Sequence, residues 1–134
     1  MANIQLNFDK PVQIFTINGT DYEVYYDDDS LRRYIDMFQR FSHEYDETKD
    51  LDVSKLSAEE EKKINERQME LMSEFIDSVF GQGSYEKIYD SIGRSIFHLL
   101  DVIDAFGDWI INKMAEVNEK KAKKVDYYTK RKKK

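Results

Sequence analysis

Three places in the chain combine residue types at spacings that could support chemistry. Asp101 and Asp104 stand three apart, so on a helix their carboxyls share a face, and His98 lies three positions upstream. Paired carboxylates do acid–base work when they flank a substrate cleft, which helical hairpins rarely supply. No Ser or Cys nucleophile motif accompanies the imidazole. A solvated helix face for the aspartates and a partly buried structural role for His98 are therefore expected. Asp27-Asp28-Asp29-Ser30 raises calcium, but the spaced acids, central Gly and twelfth-position Glu of an EF-hand loop are missing. Carboxylates there suit the positive end of a helix dipole, with Ser30 or Asp29 as the cap. Gly81-Gln82-Gly83 precedes a helical run as a phosphate loop would. It follows a helix rather than a strand and lacks the Lys-Ser/Thr pair, so it reads as a helix–helix turn. No catalytic, cofactor-binding or metal-binding residue is assigned, and the expectation is a non-enzymatic protein that works by binding.

The composition points the same way. With 134 residues, 40% of them hydrophobic, the chain has the size and apolar content of one domain. There are no cysteines, which removes disulfides and thiol chemistry, and only two histidines, His43 and His98. The longest uncharged stretch is residues 11–20, far short of the ~20 apolar residues of a membrane span. The first residues lack a basic and an apolar signal region. A soluble intracellular protein is expected. Charge is segregated: from Lys113 onward ten Lys/Arg face three acids, while the whole chain carries −6. An acidic body of 1–118 repels a phosphate backbone, and a basic tail of 119–134, ending Lys130-Arg131-Lys132-Lys133-Lys134, is expected to be solvated and mobile. That tail is also the one place where a nucleic-acid-binding regulator could hold phosphate.

These side chains must be positioned by a mainly α fold with a small N-terminal β-hairpin (α+β) and three principal helices. Asn18-Gly19 between two alternating runs predicts a type I′ hairpin over about 12–26. A two-residue loop sets Ile17 opposite Thr20 and Phe15 opposite Tyr22. Phe15, Ile17, Tyr22, Val24 and Tyr26 then share one face, and Ile14, Thr16, Asp21 and Glu23 the other. Ile4, Leu6 and Phe8 also alternate, which admits a third short strand. Leu31, Tyr34, Ile35, Phe38 and Phe41 predict a first helix from about Leu31 to His43, followed by a mobile acidic connection over 44–55. Ser57 and Glu60 form a capping box for a second helix, which reaches about Phe80 with its first two turns standing off the core. Gly81 suits the helix end, and Ser84 the next cap.

The third helix is the longest apolar period. Tyr85, Ile88, Tyr89, Ile92, Ile96, Leu99, Leu100, Ile103, Phe106, Ile110, Met114 and Val117 recur at helical spacing. Straight, 84–118 would span roughly 52 Å, against a diameter near 36 Å for a compact chain of this length. It must break or project. Gly107 is the expected kink; alternatively Gly93 and Gly107, spaced through Leu100, admit a close helix crossing. Trp109, beyond Gly107 in the overhanging part, is favoured as an interface anchor, and Phe97, Phe106, Trp109 and Ile110 of this helix are the candidate contacts for a partner helix laid beside it.

The order of elements resembles the tail assembly chaperones of long-tailed bacteriophages and prophages of Gram-positive bacteria. The likeness covers about residues 10–118. It is carried by the hairpin Ile17-Asn18-Gly19-Thr20-Asp21-Tyr22-Glu23-Val24, the Asp-rich helix start, the acidic linker, and the junction Phe75-Ile76-Asp77-Ser78-Val79-Phe80-Gly81-Gln82-Gly83-Ser84-Tyr85-Glu86-Lys87-Ile88-Tyr89 before a long helix. The resemblance implies a helical homo-oligomer in the bacterial cytoplasm, absent from the mature virion. It would bind the tape measure protein, keep it soluble and recruit the tail tube protein. It further implies a longer frameshifted form of the chain, for which the codons of Lys132-Lys133-Lys134 could supply an A-rich slippery run.

Overall fold

A computed structural model describes residues 2–132, except the side chains of Lys49, Tyr128, Lys130, Arg131 and Lys132. The element order is β1 (Val12–Ile17), β2 (Thr20–Tyr25), α1 (Asp28–Lys49), a 3-10 turn (Val53–Lys55), α2 (Ala58–Phe80), α3 (Ser84–Ser91) and α4 (Ile96–Lys132). The mainly helical fold with an N-terminal hairpin is as expected, with four helices in place of three.

The hairpin follows from its turn. Asn18 and Gly19 both take positive φ, at 46° and 83°, which the I′ geometry demands. The register is the one the two-residue loop dictates, with Ile17 opposite Thr20 and Phe15 opposite Tyr22. Tyr22 and Val24 enter the core, with Phe15, Ile17 and Tyr26 packed against it. On the wet face, Thr16 donates to Asp21 at 2.6 Å. Among the described residues the sheet has two strands only. Ile4, Leu6 and Phe8 form no third strand and stand 87%, 72% and 86% exposed.

Helix α1 begins three residues before the predicted Leu31 and runs on to Lys49, through half of the segment expected to be loose. Asp27, not Asp29 or Ser30, is the cap: its carboxylate accepts from the Ser30 amide at 3.3 Å. The extra turns exist because Tyr45 stacks on Phe41 and Thr48 accepts from Gln68 of α2 at 2.8 Å. Arg67 of α2 also reaches Glu44 at 2.9 Å. A tertiary partner thus overrides weak local periodicity. The Ser57 cap of α2 is as expected, with the hydroxyl accepting from the Glu60 amide at 3.1 Å.

The apolar run from Tyr85 is two helices. The break lies at Gly93, not at Gly107. Gly93 takes φ 78°, its amide bonds to the Asp90 carbonyl at 3.2 Å, and the Arg94 amide reaches back to Tyr89 at 2.8 Å. This is a Schellman end. Arg94, itself at φ 53°, is held there by Asp90 and by its guanidinium lying 4.6 Å over the Tyr89 ring. Ser95 then caps α4 through the His98 amide at 3.4 Å. At the α2–α3 joint, Gly83 precedes the helix and Ser84 is its first residue. The Ser84 hydroxyl, expected to cap forward, donates back to the Ile76 carbonyl at 3.2 Å, and Asp77 of α2 accepts from the Tyr85 amide at 2.8 Å.

Gly107 lies inside α4, which runs without interruption through it. Its role is the close crossing: a Cβ there would sit 2.6 Å from the ring of Phe38 on α1. The core closes around Phe106, whose ring meets those of Phe15, Tyr34, Phe75, Phe80 and Trp109 at centroid distances of 5.4–6.2 Å. Burying such a side chain contributes roughly 2–3 kcal/mol.

Candidate partner-binding surface

Three pairings fix the long axis of the molecule. Asp28, Leu31 and Ile35 of α1 lie beside Met114, Val117 and Lys121 of α4. Phe38 sits on Gly107. Glu44 and Thr48 meet Arg67 and Gln68 of α2. Helix α1 is therefore antiparallel to both α4 and α2. The early turns of α2 lie at one pole, and α4 leaves the body at the other. At 37 residues α4 is about 55 Å long, and its part beyond Lys121 extends past the first turn of α1.

The four expected partner contacts separate on this frame. Phe106 and Ile110 are fully buried in the chain's own core, which corrects their expected outward role. Trp109 is half-buried, packed edge-on against Phe15 at 5.4 Å and near Tyr26 at 6.3 Å. The hairpin covers Trp109, the interface anchor expected from the overhang. Phe97 alone stands out, at 83% exposure, beside Ile96. His98 is also exposed, 3.9 Å from Asp101, rather than partly buried. Asp101 and Asp104 are solvent-facing, as expected. The segment from 119 continues as helix to Lys132, so the basic region is the end of α4 rather than a separate element. Of the predicted basic set, the side chains of Lys130, Arg131 and Lys132 and the whole of Lys133 and Lys134 lie outside the described residues.

A surface that periodicity does not reveal lies on α2. Ala58, Glu61, Lys62, Asn65, Glu66, Met69, Glu70, Ser73 and Glu74, with Tyr85 of α3, line a wide open groove of about 820 Å³. Met69 gives it an apolar side chain, and its lining carries four carboxylates against one lysine. Burial raises the Tyr85 phenol above its ordinary pKa, with Tyr89 and Glu86 adding to the effect, so the wall stays neutral. Arg67 is spent on Glu44 and Glu70, which raise its pKa further. The signal available in the sequence is the charged face of early α2.

Among the described residues, no group of three or more His, Cys, Asp or Glu could hold a metal ion, and no helix is long and apolar enough to cross a membrane. No curated protein matches the chain, and no solved structure does. One family model, described as a family of unknown function, matches residues 18–134, from the hairpin turn through the basic end of α4. The chain belongs to that family, DUF6673.

Proposed function

We propose that this chain is a non-enzymatic tail assembly chaperone of long-tailed phages and prophages of Gram-positive bacteria. It binds the tape measure protein, keeps that long helix dispersed, helps recruit tail tube subunits and associates with itself. It acts in the host cytoplasm, is absent from the finished virion, and is accompanied by a longer frameshifted form. The observation that carries the reading is apolar surface left outside the fold. Ile4, Leu6, Phe8, Phe97 and Ile111 are each more than half exposed on a chain whose core is otherwise closed. Such side chains suit repeated contacts with an amphipathic helix.

Co-expression with a phage tape measure protein tests the reading. A soluble complex is expected, weakened by Phe97→Ser. A tape measure protein that stays insoluble with and without the chain overturns it. The basic end of α4 supports a second reading, a nucleic-acid-binding regulator. That reading expects duplex binding that falls steeply with salt and disappears when Lys120, Lys121, Lys123 and Lys124 become Gln. Interspersed AAG codons at 132–134 with no overlapping downstream frame would remove the frameshift element.

A further inference from the structure

We infer that the projecting end of α4 docks in the α2 groove of a second copy, so that the chain associates head to tail. The contact deepens the self-association proposed above and rests on it, but not on any phage partner. The face of α4 that packs on α1 at Met114 and Val117 continues with Lys121, Lys124 and Val125. Helix α1 starts at Asp28, which shares one cleft with Lys121, and farther along the same face of α4 Val125 is 63% exposed. From 119 to 132 seven Lys/Arg oppose two acids.

The groove is the complement in shape and sign. It runs from Ala58 to Glu74, roughly 24 Å of helix, while 119–132 is roughly 20 Å long. Met69 offers apolar surface beside the largely buried Tyr85, and Glu61, Glu66 and Glu74 meet the lysines, Glu70 being paired with Arg67. The groove and the extension sit at opposite poles, so one copy cannot satisfy both. Where the same partner does not return it, a contact between unlike surfaces is heterologous and builds rings or filaments.

Sedimentation equilibrium of the full chain over a range of concentrations reads this directly. Association is expected, with a dissociation constant roughly tenfold weaker when salt rises from about 50 to about 500 mM. Lys121→Gln with Lys124→Gln, and separately Glu66→Lys with Glu74→Lys, should each give a folded monomer by circular dichroism. Their equimolar mixture should form a 1:1 complex, because one supplies an intact groove and the other an intact extension. Carbodiimide coupling of mixed isotope-labelled wild-type chains should join Lys121 or Lys124 to Glu66 or Glu74 between copies, which keeps the test open if a variant fails to fold. A wild type that is monomeric throughout, association that survives either folded variant, a mixture that stays monomeric, or cross-links confined to single chains would each overturn the contact. So would a wild type that binds random-sequence duplex without associating with itself.

Discussion

Helix α4 has two halves made of the same backbone and put to opposite uses. From Leu99 to Ile110 the stripe Leu99, Ile103, Phe106, Ile110 is sealed, each side chain at most 2% exposed. From 119 to 132 the helix is cationic and continues beyond the first turn of α1. In the first half, helicity is held by packing. In the second it rests on intrinsic propensity and on pairs such as Lys123–Glu119 at 3.1 Å, which contribute only a few tenths of a kcal/mol. Stability and surface function are thereby separated along one element.

The comparison breaks most visibly at Phe106. Phe106→Ala removes the ring on which five aromatic contacts converge and should cost about 3–5 kcal/mol in denaturant unfolding. Next comes Gly107→Leu, which drives a side chain into the Phe38 ring and should cost about 1–3 kcal/mol. Adding Phe38→Ala should recover part of that loss, since the leucine fills the vacated space; an additive double variant would argue against the crossing. Gly93→Ala strains a left-handed position and should cost about 1 kcal/mol, with no change in binding by the far end of α4. Phe97→Ser should leave stability within about 0.5 kcal/mol while weakening partner capture.

The smallest effect sits on the acid limb. Hydrogen bonding from Ser30 lowers the Asp27 pKa below its ordinary value. Its contribution is therefore present above the unfolded carboxyl range and lost as pH falls through the lowered native value. Asp27→Ala should flatten the melting-temperature profile in that acidic window and leave the extension's salt response unchanged.

These contrasts also explain what could be read from residues alone. The hairpin was legible to the register because Asn-Gly is a local instruction. The split between α3 and α4 was not, because Ile92 and Ile96 keep helical spacing across it and mask Gly93-Arg94-Ser95. Gly107 draws attention by composition, yet only the Phe38 ring placed against it shows that the helix crosses α1 closely there. Trp109 and Phe106 look like overhang only until Phe15 and Tyr26 are placed upon them, and that placement is tertiary. The α2 groove leaves only a face of carboxylates, which reads equally as solvated helix.

One bond of the hairpin carries a wider consequence. The Tyr26 amide meets the Pro11 carbonyl at 2.8 Å, and the Tyr26 ring lies under the Lys113 ammonium at 4.6 Å. The segment holding Ile4, Leu6 and Phe8 therefore joins the body near Lys113, about two turns of α4 before that helix passes the start of α1. An oily ribbon and a cationic mast thus spring from the same half of the molecule, anchored through one aromatic ring.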